Sequence, residues 1–156
     1  MIKMDIPGYG EIEIKNLVLD FNGTLAKDGA LIDGVAELIK RLAQLVDVYV
    51  ITADTFGSVQ SEMKGLPIKI FQIEPNNERN AKLELIRHLG PKETAAIGNG
   101  SNDEWMLKES RIGICIMGQE GCSIMASNNA DIVIHDIRRA LELFFYPNRL
   151  KATLRF

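Results

Sequence analysis

Short apolar segments alternate with longer segments of helical periodicity along most of this 156-residue chain. The apolar segments are too short for helices and end in polar residues or Gly, which predicts buried strands. Between them, apolar residues recur three and four positions apart, as in a helix with one buried face. The predicted strands are 17–20, 48–52, 68–71, 94–98, 112–116 and 131–134. The predicted helices are 33–46, a short one through Val59 and Met63, 78–89 (with Leu83, Ile86 and Leu89 inward), 103–109, 121–127 and 136–145.

The two ends of the chain have simpler patterns. Residues 2–6 and 11–15 alternate between apolar and polar positions around a Pro-Gly-Tyr-Gly turn, which predicts a β-hairpin. The hairpin is interpreted as an edge decoration or as a contact surface in a homo-oligomer. Residues 25–31 are turn-like and predict a short flap, and Pro147 with the basic tail is expected to end the chain.

Strands that alternate with helices predict right-handed βαβ units. The expected fold class is therefore α/β, with a parallel sheet covered by helices on both faces. No linker, repeat or low-complexity segment interrupts the pattern, so we expect a single domain over residues 1–156.

Composition and charge exclude several classes of function. The formal net charge is −3 and there is no basic run, so no nucleic-acid partner is expected. No apolar window is long enough for a membrane span, and the first residues lack the apolar core of a signal peptide, which favours a cytoplasmic protein.

Cys115 and Cys122 have no further Cys or His nearby and are interpreted as buried free thiols. Isolated His88 and His135 are interpreted as structural or solvated, and Trp105 and Met106 as packing residues.

Candidate chemistry begins at Asp20, which follows the apolar residues 17–19 directly. In parallel sheets this carboxyl end of a strand is where ligands bind. Gly23 lets the backbone turn back, so the amides of Phe21 through Thr24 are expected to point at an anion beside the carboxylate. Taken alone, the Asp20-to-Thr24 pattern favours a simple Asp/Asn-Gly turn after a strand.

Other polar residues follow later strands. Thr52 ends the second strand of the sheet, the loop from Gly98 to Asp103 ends a later one, and Lys82 lies on the helix between them. Carboxylates and a Gly loop suit a hard cation such as Mg²⁺, while Thr and Lys suit phosphate oxygens. Each has a simpler interpretation: a strand-end hydroxyl for Thr52, a solvated charge for Lys82, and helix caps for Asn102 and Asp103. Their joint order favours a phosphoryl site.

Four ordered motifs give the chain a family resemblance. They are Asp20-Phe21-Asn22-Gly23-Thr24, Val50-Ile51-Thr52 continued by Ala53-Asp54, Lys82, and Gly98-Asn99-Gly100-Ser101-Asn102-Asp103. With the run from Arg111 to Gly118, they resemble the haloacid dehalogenase (HAD) superfamily, and within it the phosphorylation domain of P-type ATPases. The resemblance implies a three-layer Rossmann-like sheet without a cap domain.

The resemblance also implies roles for individual residues. Asp20 would be the nucleophile that forms an aspartyl-phosphate, and Asn22 and Lys82 would complete the catalytic set. The implied phosphate-binding residues are Gly23, Thr24, Thr52, Ala53, Lys82 and Asn102. The implied Mg²⁺ ligands are Asp20, Asn22, Asn99 and Asp103.

Two amides stand where the family pattern has carboxylates. Asn22 replaces the general acid and base, and because an amide transfers no proton, the reaction should lose about 10²–10⁴-fold in rate. Asn99 removes one carboxylate from the cation site and should weaken Mg²⁺ binding.

These residues bear on three possible functions. The first is a slow Mg²⁺-dependent phosphohydrolase or phosphotransferase acting on a phosphorylated small molecule or a phosphoprotein. The second is a catalytically weak regulatory module that binds phosphate or nucleotide, which Asn22 and Asn99 favour. A haloacid dehalogenase proper is disfavoured because the Gly23-Thr24 pair and Lys82 point to phosphoryl groups.

Overall fold

The computed structural model describes residues 1–53 and 57–156. The strands are β1 (Ile2–Ile6), β2 (Gly10–Ile14), β3 (Asn16–Asp20), β4 (Ala26–Lys27), β5 (Ala30–Leu31), β6 (Asp47–Thr52), β7 (Lys69–Gln72), β8 (Thr94–Gly98), β9 (Ile112–Ile116) and β10 (Ile132–Ile134). The helices are α1 (Val35–Leu42), α2 (Ser58–Glu62), α3 (Glu78–Leu89), α4 (Glu104–Glu109), α5 (Ile124–Asn128), α6 (Ile137–Glu142) and α7 (Pro147–Leu154).

Six strands form one parallel sheet in the order β10-β9-β8-β3-β6-β7. Every residue of β3, β8 and β9 is buried, which requires cover on both faces of the sheet. Leu17 and Leu19 of β3 face one apolar cluster, and Val18 between them faces a second. The predicted three-layer α/β fold is confirmed, and between β3 and α1 the described chain holds only the short β4–β5 pair.

The N-terminal hairpin is confirmed as an antiparallel pair, with Ile2 opposite Ile14 and Met4 opposite Ile12. It is not hydrogen-bonded into the large sheet. Its apolar side chains join the same cluster as those of α1, α6 and α7. The hairpin therefore covers the chain's own core with its apolar face, and its role in a homo-oligomer stays a prediction.

The C-terminal ends of α1 and α6 differ from the sequence expectation for the same physical reason. Helix α1 ends at Leu42 rather than 46, because the amides of Gln44 and Leu45 bond the carbonyls three residues back. The amides of Phe144, Phe145 and Tyr146 do the same after α6. These are 3₁₀-type bonds, which tighten the last turn of a helix.

Two features of the helices were missed. A helix, α7, forms over Pro147–Leu154, where only a tail was expected, because Pro147 suits the first turn and Leu150 and Leu154 are buried on one face. On α3 the fully buried residues are Lys82, Leu85 and Ile86, with Leu89 partly buried against the core. The inward position expected for Leu83 is therefore wrong, since that side chain is only half-buried.

Gly113 of β9 lies directly against the backbone carbonyl of Leu107 at α4. Substitution Gly113→Ala should lower the free energy of unfolding by roughly 1–3 kcal/mol, because a Cβ there overlaps backbone that cannot rotate away. Urea unfolding measures this as a lower midpoint with an unchanged slope. Gly118→Ala is the matched control, since its new Cβ would meet nothing closer than 3.4 Å. Equal midpoints for the two variants would contradict the packing.

Tyr9 anchors the hairpin turn, since its hydroxyl lies 3.1 Å from both the Arg111 carbonyl and Asp131 Oδ1. Burial, reinforced by the negative charge of Asp131, raises the pKa of Tyr9 to about 12. Above pH 10 the unfolded chain loses this proton while the folded chain keeps it, so stability should fall between pH 10 and 12. Tyr9→Phe should show a smaller fall in unfolding midpoint over that range. Parallel pH profiles of the two proteins would show that Tyr9 is not protected in this way.

Candidate active site

Three strand ends meet at one edge of the sheet, because β3 lies between β6 and β8 and all three are parallel. They bring Asp20, Thr52 and the loop after Gly98 around a cleft of about 330 Å³. The cleft is lined by Asp20, Asn22, Thr52, Ala53, Lys82, Asn99, Gly100 and Asn102. Seven of these eight were predicted site residues, and Gly100, inside the fourth motif, is the addition.

Asp20 is almost fully buried, with 7% of its surface exposed. Its Oδ1 accepts a hydrogen bond from Lys82 Nζ at 2.7 Å, and its Oδ2 lies 3.1 Å from the Thr24 hydroxyl. Burial and the neighbouring charge of Asp103 raise the pKa of Asp20 to about 6, against the opposing effect of Lys82 and Thr24. Asp20 is therefore an ionised carboxylate at neutral pH in a position that is short of positive charge.

Lys82 extends from α3 into the core rather than into solvent, so its interpretation as a solvated charge is wrong. Its ammonium bonds Asp20 Oδ1 at 2.7 Å and Asp103 Oδ1 at 2.6 Å, and lies 3.4 Å from Asn102 Oδ1. Burial works to lower the pKa of Lys82, but the two carboxylates raise it above its usual range. The amine therefore stays charged and holds the two acids together.

Asp103 has no exposed surface, and both of its oxygens are already bonded. Oδ1 accepts from Lys82, and Oδ2 accepts from the backbone amides of Asn99 and Gly100 at 2.9 Å each. The side chain makes no capping bond to α4, but its bond to the Gly100 amide belongs to a capping box at the 3₁₀ turn Ser101–Asp103, so the helix-cap interpretation is confirmed for that turn. Asp103 does not line the cleft, which suits it to fixing Lys82 and the loop better than to contacting a metal ion.

Asn99 bridges two loops. Its Nδ2 donates to the Gly121 carbonyl at 3.2 Å, and its Oδ1 lies 3.1 Å from the Thr24 hydroxyl. Gly23, with φ of +78°, packs directly on this amide and has no room there for a Cβ. An aspartate in this place would turn an oxygen toward the Gly121 carbonyl, so the local structure favours an amide here.

The turn after Asp20 departs from the expected anion cradle. The amide of Gly23 bonds the Ala26 carbonyl at 2.9 Å, and that of Thr24 bonds the Phe21 carbonyl at 3.2 Å. Neither residue lines the cleft. The expectation that these two amides point at a bound anion is therefore wrong, because the turn uses them internally. Thr24 instead positions the Asp20 carboxylate.

The remaining predicted residues face the cleft. Asn22 is exposed beside Asp20, whereas Thr52 is buried at the end of β6 and Ala53 is half-buried. Asp54, which continues the second motif, lies outside the described residues. Asp20 is the one carboxylate among the described residues that line the cleft, and the other side-chain oxygens are amides and a hydroxyl.

The residues to which the sequence analysis gave no role in the site are partly buried in the core and partly exposed. Cys115 is a buried free thiol as expected, whereas Cys122 is only half-buried. Met106 is fully buried, which confirms its packing role. Trp105 is 39% exposed, so the packing interpretation is wrong for it. His88 and His135 are both exposed, and His135 lines a separate cavity beneath the β4–β5 flap.

Comparison with known proteins shows which sequences and folds the chain resembles. The chain is 41% identical over 92 residues to an uncharacterized protein of Methanocaldococcus jannaschii, covering 56% of this chain and 99% of that protein. It is 29% identical over 142 residues to a soluble P-type ATPase-like phosphatase of the same organism. That match covers 87% of this chain but 51% of the phosphatase, so the chain spans about half the length of this relative. No protein-family model matches the chain.

Solved structures share the fold at low identity. The 3-deoxy-D-manno-octulosonate 8-phosphate phosphatase of Moraxella catarrhalis, in complex with magnesium, phosphate and KDO, superposes with a TM-score of 0.72 at 20% identity, covering 91% of this chain and 94% of that one. A phospho-aspartyl intermediate analogue of phosphoserine phosphatase superposes with a TM-score of 0.70 at 17% identity, covering 85% and 99%.

Fold and site together define an α/β protein whose acidic and basic side chains gather at the carboxyl edge of a parallel sheet. The four ordered motifs of the chain resemble those of the haloacid dehalogenase superfamily, its fold is the one that the two phosphatase structures share, and its sequence is similar to that of the soluble P-type ATPase-like phosphatase. No helix among residues 1–53 and 57–156 is long and apolar enough to cross a membrane.

Lys82→Met tests the buried charge cluster. It should lower the free energy of unfolding by about 3–5 kcal/mol, because it leaves two buried carboxylates facing each other without a cation. Adding Asp103→Asn should recover part of the loss, which a double-mutant cycle in urea would measure. Lys69→Met removes an exposed ion pair with Asp47 at 3.2 Å and should cost less than about 1 kcal/mol. Similar losses for the two lysine variants would refute the cluster.

Proposed function

We propose that the protein is a Mg²⁺-dependent phosphohydrolase or phosphotransferase that works through an aspartyl-phosphate at Asp20. One observation carries the proposal: a nearly buried carboxylate ends the central strand, bonds a buried lysine and opens onto a cleft. Buried charges are costly and persist where partners compensate them, which favours a functional role for this arrangement. The likeness to a phospho-aspartyl intermediate analogue supports the same chemistry.

In the proposed reaction an oxygen of Asp20 attacks phosphorus. The new bond joins that oxygen to phosphorus, while the bond from phosphorus to the leaving oxygen breaks and its electron pair leaves with the substrate fragment. Lys82, Thr52 and Asn102 are the cleft residues suited to bind the phosphoryl oxygens. Thr24 and Asp103 hold Asp20 and Lys82 in place.

The residues present fit a magnesium ion, though with fewer carboxylates than the family pattern. Two buried acids face one lysine, so the cluster carries an excess negative charge. Among the described residues no three His, Cys, Asp or Glu side chains are grouped to hold a metal. Mg²⁺ commonly binds through one or two carboxylates plus substrate phosphate and water. Asp20, the Asn22 carbonyl and the Asn99 side-chain oxygen would hold it, and Asp103 would act from behind Lys82. The ion would supply positive charge between nucleophile and phosphate.

Asn22 should limit the rate of the proposed reaction. It lies exposed in the cleft, where a proton donor and acceptor would act, but an amide does neither. Departure of a poor leaving group and attack of water on the aspartyl-phosphate should both be slow. We therefore expect a long-lived phosphoenzyme and a preference for leaving groups that need no proton.

The shape of the cleft allows two classes of substrate. A phosphorylated small molecule and a phosphoprotein both fit a cleft that opens to solvent. The cytoplasmic location and the homo-oligomer remain expectations from the sequence. Because the chain spans about half of the P-type ATPase-like phosphatase, the activity of that whole protein is carried over here only as a proposal.

A catalytically weak module that binds phosphate or nucleotide is the second candidate. Asn22 favours it, because the same cleft without a general base could retain phosphate and release no product. The two candidates differ in whether a covalent adduct forms.

Intact-protein mass spectrometry after incubation with acetyl phosphate, para-nitrophenyl phosphate or ATP, with and without Mg²⁺, separates them. We expect a Mg²⁺-dependent gain of one phosphoryl group that is absent in Asp20→Asn. Asn22→Asp should shorten the lifetime of the adduct and raise turnover about 10²-fold or more, because it restores a proton-transferring group.

One control variant and one contrary outcome make the experiment decisive. Asp47→Asn changes an exposed aspartate at the opposite end of β6 and should leave adduct formation unchanged. Binding of Mg²⁺ and phosphate without any adduct from the three donors would reject the enzyme and support the module.

A further inference from the structure

A groove of about 410 Å³ opens beside the catalytic cleft. Asn102 lines both, so the two spaces are neighbours across one side chain. The groove is lined by Asn76, Asn77, Glu78, Arg79, Asn80, Ser101, Asn102 and Trp105. None of its residues except Asn102 has a role in the chemistry proposed above.

Two facing segments build the cleft and the groove with the same helical spacing. Arg79 precedes Lys82 by three residues on α3, and Trp105 of α4 follows Asn102, which lies in the 3₁₀ turn Ser101–Asp103 directly before α4, by three residues. Side chains three apart are neighbours on a helix, about one turn from each other. A group held in the groove would therefore lie about one helical turn from a phosphoryl group at Lys82 and Asn102.

Trp105 gives the groove a flat apolar surface. It is the one tryptophan of the chain and remains 39% exposed. The Arg79 guanidinium lies 5.1 Å from the centre of its ring, so the groove contains both an indole and a planar cation. Planar rings stack favourably on both kinds of surface.

The charges around the groove favour an uncharged ring. The Arg79 guanidinium pairs with Glu104 Oε2 at 3.6 Å, and Glu78 adds a further negative charge. The second oxygen of Glu104 accepts from Asn129 Nδ2 at 3.2 Å, which holds the acid in place beneath Arg79. The remaining lining consists of asparagine amides and a serine hydroxyl, which suit a neutral group with hydrogen-bonding substituents.

We propose that this groove, here named the leaving-group groove, selects aryl phosphates, in which the phosphate is joined directly to a flat ring. The inference rests on the proposed function and deepens it. Asp20 forms the bond to phosphorus, the bond between phosphorus and the phenolic oxygen breaks, and the phenoxide leaves with the electron pair and takes its proton from water. The amide of Asn22, which cannot protonate a leaving group, is compatible with aryl phosphates, because a phenoxide leaving group needs less protonation than an alkoxide.

Three donors separate ring binding from leaving-group quality. Phenyl phosphate has a ring and a phenoxide leaving group of intermediate quality, acetyl phosphate has the better carboxylate leaving group and no ring, and benzyl phosphate has the ring with a poor alkoxide leaving group. The preference for phenyl over acetyl phosphate in kcat/KM should fall about tenfold in Trp105→Ala, within the range that stacking contributes. Trp105→Phe should keep most of the preference.

Tyr146→Ala is the matched control. Tyr146 is 48% exposed and also carries an arginine over its ring, with the Arg149 guanidinium at 4.2 Å, but it lines neither the cleft nor the groove. This variant should leave the preference unchanged. A phosphotyrosine peptide, used as a fourth donor, identifies the source of the aryl phosphate: a higher kcat/KM than for phenyl phosphate assigns a protein substrate, and an equal or lower one assigns a small molecule.

Intrinsic fluorescence provides a readout that needs no turnover, because Trp105 is the single tryptophan. Phenyl and benzyl phosphate should both quench it, and acetyl phosphate should not. Turnover of acetyl phosphate with no quenching by either ring compound would overturn the groove and leave the proposed function intact. Quenching without an adduct from any donor would reject the proposed function while retaining the ring site. A preference unchanged in Trp105→Ala would also overturn the inference.

Discussion

The ammonium of Lys82, buried between Asp20 and Asp103, is the interaction on which the rest of the site depends. Either carboxylate alone would be costly in this interior, and the lysine alone would be equally costly. The three charged groups are tolerated only together, with the Lys82 ammonium 2.7 Å from Asp20 Oδ1 and 2.6 Å from Asp103 Oδ1. They come from β3, from α3 and from the loop before α4, so these elements must be in register at the same time. The charge cluster therefore couples the central strand to the helices on one face of the sheet.

Much of the fold was predictable because apolar runs and helical spacing decide where strands and helices form. The strands 94–98 and 112–116 and the helix 78–89 match the structure residue for residue. Lys82 shows why the site was harder. Helical periodicity treats a charged residue as outward-facing and predicted Leu83 as inward instead, whereas only the ordered motifs indicated that Lys82 belongs to the site. Its partners are 62 and 21 residues away in the chain, and pairing over such distances leaves no local signal.

Other misses have the same origin in local rules that tertiary contacts override. The helix α7 was hidden because Pro147 and the basic residues after it resemble a tail, although Leu150 and Leu154 carry the spacing of a buried face. The turn at Gly23 and Thr24 was recognised, but its amides satisfy carbonyls of the same turn, which no spacing rule specifies. Trp105 was interpreted as a packing residue, the usual role of a large aromatic side chain, but it remains 39% exposed.

The two asparagines in the motifs have different physical meanings. The surroundings of Asn99 fix its side chain. Its Nδ2 donates a hydrogen bond to the Gly121 carbonyl, its Oδ1 lies beside the Thr24 hydroxyl, and Gly23 packs against the amide. Asn22 has no such enclosure and faces the cleft. Packing therefore accounts for the amide at Asn99, whereas the amide at Asn22 is to be explained by the reaction. Exposure also increases from the charge cluster outward to Trp105, so residues of the leaving-group groove can change at little cost in stability while the charge cluster cannot. In the proposed function, substrate preference would depend on Arg79 of α3 and Trp105 of α4, and phosphoryl chemistry on the charge cluster that joins β3, α3 and the loop before α4.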